Sequence, residues 1–120
     1  MVVSTSSHTI PLSVELDEFV AAAARDALGR FADQVISVDV FLNDVNGPKG
    51  GVDKQAVFRI HLRQRREIIT QSARDNLRAA IRGGAKRARR AVGRHLRKAR
   101  RIEKVRINDR LYELAPGLEG

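Results

Sequence analysis

The sequence predicts a single α+β domain with the order β-α-β-β-β-α, a four-stranded sheet and two helices packed on one face of it. The length of 120 residues is sufficient for one modest hydrophobic core. The composition, 42% apolar and 31% charged, is typical of a globular domain. Segments of alternating hydrophobicity also lie between two segments of helical periodicity. We expect this domain to span residues 1–101.

The first two elements follow from residue type and spacing. Residues 2–10 are rich in β-branched side chains and predict a strand, which Pro11 ends. Ser13 is placed to cap a helix over residues 14–32, and the acids in its first turns favour a helix N-terminus. Apolar residues recur at helical spacing through this segment: Leu16, Phe19, Val20, Ala23, Ala27, Leu28 and Phe31.

Three further strands are predicted. Residues 35–45 alternate, and the side chains expected to face the core are Ile36, Val38, Val40 and Leu42. Residues 46–51 form a loop by composition. Residues 54–63 alternate again, with a core side of Ala56, Phe58, Ile60 and Leu62 and an open side of Arg59, His61 and Arg63. A basic turn at 63–66 leads into a strand over 67–73, for which the pattern leaves the facing ambiguous.

A long second helix completes the domain. Asp75 or Asn76 caps it, and over residues 76–101 it would be about 38 Å long. Three glycines lower its helix propensity and would be tolerated if the helix lies close to the sheet: Gly83, Gly84 and Gly93. Its apolar stripe consists of Leu77, Ile81, Ala85, Ala88, Val92, Leu96 and Ala99. We expect residues 102–120 to be a short mobile tail, with at most a short strand in 105–114.

The charge is concentrated in one half of the chain. The formal net charge is +9, and residues 54–102 hold 17 basic and 2 acidic side chains, whereas residues 1–53 hold 3 and 8. Such an asymmetry predicts a polyanionic partner. The chain has no cysteine. It also has no apolar run long enough to cross a membrane and no signal peptide, so we expect no membrane partner and a cytoplasmic location.

The second helix is the main candidate binding surface. Arg87, Arg90, Arg94, Lys98 and Arg101 follow one another at spacings of three or four, so they share one side of the helix. Neighbouring like charges repel each other, and a merely solvated face would include acids, so the pattern predicts phosphate binding. Lys86 and Arg97 extend this surface.

A second basic group has two interpretations. The open side of the sheet and the following turn carry Arg59, His61, Arg63, Arg65 and Arg66. These side chains either keep an open sheet face soluble or make a second RNA contact. The loop at 46–51 is not a phosphate-binding P-loop, because no Lys-Ser or Lys-Thr follows its glycines, although Lys49 is placed to contact a phosphate.

Other functions have little support in the sequence. Aromatic residues make up only 4% of the chain, so RNA would be recognised through its backbone and shape and not by base stacking. The three histidines, His8, His61 and His95, have no metal-ligand spacing and no nearby nucleophile. We therefore expect no enzymatic activity, metal, cofactor or small-molecule substrate.

Three segments resemble the ribosome hibernation-promoting factors, also called ribosome-associated inhibitors or sigma-modulation proteins: residues 16–44, 46–55 and 73–98. The resemblance implies the β-α-β-β-β-α fold and a short-form protein that binds the small ribosomal subunit in the channel for messenger and transfer RNA, and so silences translation under stress. It places the family's basic positions on Arg87, Arg90 and Arg94. Lys86, Arg89, Arg97, Arg100 and Arg101 make this helix more basic than is usual in the family.

Two alternatives remain at the level of sequence. A stand-alone double-stranded RNA binder shares the α-β-β-β-α order, but the first strand and the acidic first helix argue against it. A protein-binding regulator, for example of a sigma factor, would use that acidic helix. Because the basic face repels a copy of itself and the tail is too short for a second core, we expect a monomer.

Overall fold

The computed structural model describes residues 1–44 and 54–114 and has the predicted order of elements. Strand β1 spans Val2–Ser7, and helix α1 spans Val14–Leu28 and ends in a 3-10 turn at Gly29–Phe31. Strands β2, β3 and β4 span Val35–Asp44, Lys54–Leu62 and Arg66–Arg74. Helix α2 spans Leu77–Leu114. The α+β prediction is confirmed.

The sheet is mixed and has the strand order β1-β2-β3-β4. Strand β1 runs parallel to β2, with Val3 opposite Val38, and the other two pairs are antiparallel. Helix α1 therefore makes the crossover between two parallel strands, and it packs beside α2 on the same face of the sheet. The opposite face, here called the open face, carries no helix.

The core lies between the helices and one face of the sheet. The predicted core side of β3 is confirmed, since Ala56, Phe58 and Ile60 are fully buried and Leu62 nearly so. The ambiguous strand β4 turns Ile68, Thr70 and Ser72 towards the helices and Ile69 towards solvent. Buried residues of the helices complete the core: Val20, Ala24, Leu28, Ala80, Ile81, Ala85, Ala88 and Val92.

Local signals set the helix starts. The Ser13 hydroxyl accepts a hydrogen bond from the Leu16 amide at 3.0 Å, and the Asn76 side-chain oxygen accepts one from the Ala79 amide at 3.2 Å. Both predicted N-caps are therefore present, and Asn76 is the one used at α2. The β3–β4 turn is less regular, because Gln64 and Arg65 both have positive φ angles, 69° and 59°.

The facing of β2 differs from the prediction at its start. A register shift between Val35 and Ser37 interrupts the alternation. As a result Val35 is buried, whereas Ile36, predicted to face the core, is 54% exposed. The extra residue of a bulge reverses the side-chain facing on one side of it, which simple alternation cannot anticipate.

The end of α2 also differs from the prediction. The helix passes through Arg101 without a break and reaches Leu114, so its 38 residues span about 57 Å and the short strand expected in 105–114 is wrong. Every residue from 97 to 108 is exposed, including Ala99, which was assigned to the core stripe. The predicted loop at 46–51, with Lys49, lies outside the described residues.

Candidate nucleic-acid interface

Helix α2 carries a continuous basic surface. Between Asp75 and Glu103 it has eleven basic residues and no acidic one, and all eleven are exposed. We call them the basic surface of α2: Arg78, Arg82, Lys86, Arg87, Arg89, Arg90, Arg94, Arg97, Lys98, Arg100 and Arg101. The apolar side of the same helix is buried against the sheet, so the domain core holds most of these cations in place.

The predicted central residues lie together beside the edge of the sheet. Arg87, Arg90 and Arg94 line a shallow depression with Thr70 and Gln71 of β4. The Arg87 guanidinium Nη1 donates a hydrogen bond to the Gln71 backbone carbonyl at 2.8 Å. This bond fixes Arg87 against the edge strand, whereas Arg90 and Arg94 extend from the helix and are available to phosphate oxygens.

A second depression collects more arginine than the sequence suggested. Arg30, from the 3-10 turn after α1, lies across from five arginines of α2. We call this depression the six-arginine groove: Arg30, Arg89, Arg90, Arg94, Arg97 and Arg100, with Phe31, Gly93 and Leu96 also lining it. Arg30 was not among the predicted site residues, because only the packing of α1 against α2 brings it to this place.

The groove between the two helices continues the basic surface. Alanines of α1 and Ala85 of α2 line it, and Arg82, Lys86 and Arg89 border it together with Asp26. At one end the guanidinium carbons of Arg78 and Arg82 lie 4.7 and 5.3 Å from the centre of the Phe19 ring. These cation–π contacts hold two further cations beside the groove.

The other predicted basic group is divided between two places. On the open face, Arg59 Nε lies 3.5 Å from a Glu67 carboxylate oxygen, and His61 Nε2 lies 3.1 Å from Asp39 Oδ2. His61 Nδ1 is 3.6 Å from the second Glu67 oxygen. Two carboxylates therefore offset the charge of Arg59 and accept contacts from the His61 ring, which favours the interpretation of a soluble sheet face.

Arg66 belongs to a different region. It lines a depression with His95, Lys98 and Arg106 of α2, so it extends the basic surface towards the end of that helix. Arg63 and Arg65 are exposed in the turn before it, and the Arg63 amide is held by the Gln34 carbonyl at 2.9 Å. The predicted site residues thus form one large surface on α2 and a separate, charge-balanced group on the open face.

Hydrogen bonds on the open face favour the charged form of the Asp39 carboxyl. Its Oδ1 accepts a hydrogen bond from the Ser4 hydroxyl at 2.5 Å. That bond lowers the pKa of the Asp39 carboxyl below 3.8, its usual value; desolvation partly opposes the shift, and the nearby His61 adds to it. Asp39 is consequently a carboxylate at neutral pH and a lasting counter-charge on the open face.

Residues 1–44 and 54–108 contain no group of three or more His, Asp or Glu side chains placed to hold a metal ion. Within the same ranges no helix has the length and hydrophobicity needed to cross a membrane.

Comparisons with known proteins agree with the fold. The family model described as "Sigma 54 modulation protein / S30EA ribosomal protein" matches residues 3–100. No curated protein sequence matches the chain.

Several solved structures have a similar fold. The N-terminal domain of Protein Y from Thermus thermophilus has a TM-score of 0.66 at 18% identity, covering 79% of this chain and 99% of that one. A ribosomal subunit interface protein from Coxiella burnetii has a TM-score of 0.64 at 13% identity, covering 79% and 97%. At these identities the likeness concerns the fold. Because the family model covers most of the 120 residues, the chain belongs to the Sigma 54 modulation protein / S30EA ribosomal protein family.

Proposed function

We propose that this protein associates with the ribosome and binds the small subunit in the channel for messenger and transfer RNA. Binding through the basic surface of α2 would fill a space that translation needs, and translation would stop until the protein leaves. The site of action is then the cytoplasm, and the reaction is occlusion without chemical change. Membership of the S30EA family and the similarity in fold to a ribosomal subunit interface protein from Coxiella burnetii support a ribosomal partner.

The observation that carries the proposal is the acid-free surface of α2. Eleven exposed cations on one core-packed helix repel each other in the free protein, and ribosomal RNA offers the phosphates that relieve the repulsion. The cations lie on several sides of a projecting helix, which suits a channel walled by RNA better than a single flat duplex. Since the open face is nearly charge-balanced, we propose that it makes the smaller contribution.

The test is co-sedimentation with purified small subunits. Arg90→Glu with Arg94→Glu reverses two exposed cations that no described hydrogen bond holds, and we expect it to abolish co-sedimentation. Arg87 is left unchanged because its bond to Gln71 supports the edge of the sheet. The helical circular-dichroism signal should be unchanged, since exposed substitutions rarely cost more than about 0.5 kcal/mol.

A matched control separates the surface from the net charge. Arg25→Glu with Arg59→Glu changes the charge equally at exposed positions on α1 and on the open face, and neither residue lines the depressions beside α2. We expect this control to lose far less co-sedimentation than Arg90→Glu with Arg94→Glu. Equal loss in both variants would refute a specific surface. If the unchanged protein binds a free RNA duplex as tightly as it binds small subunits, the result would favour a general double-stranded RNA binder.

We further propose that the protein is a monomer that acts on single ribosomes. The basic surface repels a copy of itself, and Lys104 and Arg106 outweigh Glu103 in the next turns of the helix. Light scattering at micromolar concentration should give the mass of one chain. A stable dimer that dissociates when residues 103–120 are deleted would contradict this and assign the pairing to the end of α2.

A further inference from the structure

The six-arginine groove differs from the rest of the basic surface. Here Arg30, from a second element, lines the groove together with five arginines of α2, whereas the depression that Arg66 shares with α2 also holds Glu103 and the groove between the helices also holds Asp26. None of the residues that line the groove is acidic. Within residues 1–44 and 54–114, none of the six takes part in an ion pair.

The floor of the groove is suited to a compact anion. Phe31 and Leu96 are half-buried and apolar, and Gly93 between them has no side chain. A β-carbon at Gly93 would meet Arg97 Nη1 at 3.2 Å and Phe31 Cζ at 3.5 Å, so the glycine leaves the floor open. Charges above an apolar floor are screened less than charges surrounded by water, so each arginine attracts an anion more strongly.

The number of cations indicates the class of ligand. A guanidinium binds phosphate through two parallel hydrogen bonds, and one phosphate cannot satisfy six of these groups. A row of adjacent phosphates can contact arginines on both walls of the groove. Its closely spaced negative charges also match the closely spaced positive charges of the six arginines. A carboxylate carries one charge in a similar volume and would leave most of the repulsion in place.

We propose that the six-arginine groove is a binding site for closely spaced phosphates, such as those of a polyphosphate chain or a sharply folded RNA backbone. The groove shares Arg90 and Arg94 with the proposed ribosome-binding surface, and only the RNA source of the phosphates rests on that proposed function. A free polyphosphate bound in the groove would compete with RNA for these two arginines.

The first experiment uses tripolyphosphate as the probe, with orthophosphate as the comparison. Isothermal titration calorimetry of the full chain is run with both anions at equal ionic strength. We expect tripolyphosphate to bind at one site per chain and orthophosphate to bind at least about tenfold more weakly. Equal affinity for the two anions, or binding of many tripolyphosphates without a distinct first site, would overturn the proposal.

Substitutions inside and outside the six-arginine groove test whether tripolyphosphate binds there. Arg30→Ser with Arg97→Ser removes one cation from each wall and should weaken tripolyphosphate binding at least about tenfold. Arg25→Ser with Arg74→Ser removes the same charge elsewhere and should leave the affinity unchanged. Gly93→Leu fills the floor at constant charge and should also weaken binding; if that variant fails to fold, the two double variants decide. The same loss in both double variants would overturn the proposal.

The source of the phosphates is determined with small subunits. If the groove takes RNA phosphates, Arg30→Ser with Arg97→Ser should also weaken subunit binding, and tripolyphosphate should displace the unchanged protein at constant ionic strength. If it takes a free polyphosphate alone, the variant should keep its subunit affinity. If the unchanged protein binds tripolyphosphate but not small subunits, only the proposed function is refuted. If it binds small subunits but not tripolyphosphate, only the proposed phosphate site in the groove is refuted.

Discussion

Gly84 lies where α2 packs closely on the sheet. A β-carbon at this position would be 2.7 and 2.8 Å from two ring carbons of Phe58, which is fully buried. The Gly84 carbonyl also accepts a hydrogen bond from the Thr70 hydroxyl at 3.3 Å. Gly83 lies similarly close to Ser72. The expectation that glycines let this helix lie close to the sheet is therefore confirmed at residues 83 and 84.

Gly84→Ala should destabilise the domain even though alanine is the better helix former. Overpacking against the buried ring costs about 1–3 kcal/mol, which exceeds the gain in helix propensity of about 1 kcal/mol. Urea denaturation measures the change in the free energy of unfolding. Gly93→Ala is the matched control, because its β-carbon would meet mainly the flexible end of Arg97, and it should stabilise the protein. A more stable Gly84→Ala protein would show that the helix moves away from the sheet easily.

The lowered pKa of Asp39 predicts that the stability of the protein depends on pH in the acid range. Its pKa is lowered in the folded protein, chiefly by the hydrogen bond from Ser4. Its contribution to stability is therefore present above the ordinary pKa of the unfolded carboxyl, 3.8, and is lost as the pH falls through the lower folded value. Ser4→Ala should raise the pKa of Asp39, as measured by a carboxyl-carbon NMR titration.

The neighbouring serine on the open face provides the control for that titration. Ser6 lies opposite Phe41 in the register and not opposite Asp39. Ser6→Ala should leave the Asp39 titration unchanged. If Ser4→Ala has no effect either, His61 and Arg59 would have to supply the whole shift.

At the scale of elements, α2 is one helix with two environments. From Ala80 to Val92 its apolar stripe is buried, at Leu96 it is only partly covered, and from residue 97 to 108 every side chain is exposed. The sheet ends before the helix does, so the outer part of α2 is continuous with the domain but packs on little of it. Such a segment derives its helicity mainly from the turns before it.

This division predicts unequal costs for truncating two leucine-sized side chains. Ile81→Ala removes a fully buried side chain and should lower the free energy of unfolding by about 2–5 kcal/mol. Leu96→Ala should cost less than about 2 kcal/mol, because its side chain is only half-buried and the cavity it leaves is open to water. Thermal and urea unfolding measure both. Equal costs would show that α2 is clamped to the domain as far as Leu96.

For the whole molecule, charge segregation predicts a strong effect of salt. Residues 54–102 hold 17 of the 23 basic side chains, and they lie mostly on α2. If about six phosphates are contacted, raising salt from about 50 to about 200 mM should weaken binding to small subunits on the order of a thousandfold. Affinity measured across that range is the test. A flat response would refute an electrostatic mechanism.

The sequence by itself determined the local features of this protein. Residue type and periodicity together placed the four strands and both helices, and Ser13 and Asn76 signalled the helix starts. The absence of acids between Asp75 and Glu103 identified the basic surface. These features depend on residues close together in the chain, so spacing alone carries them. The β2 bulge and the continuation of α2 to Leu114 were missed, because neither a bulge nor an exposed helix has a strong periodic signal.

Only the tertiary structure decided which distant side chains meet. Strand register sets Asp39 and Glu67 beside Arg59 and His61, and so turns a predicted basic patch into a charge-balanced face. The packing of α1 on α2 brings Arg30 to the six-arginine groove. Both results depend on the relative placement of separate elements, which hydrophobic pattern does not specify. The charge balance or charge concentration at a surface is a sum over neighbours in space. Those neighbours come from distant parts of the chain and meet only when it folds.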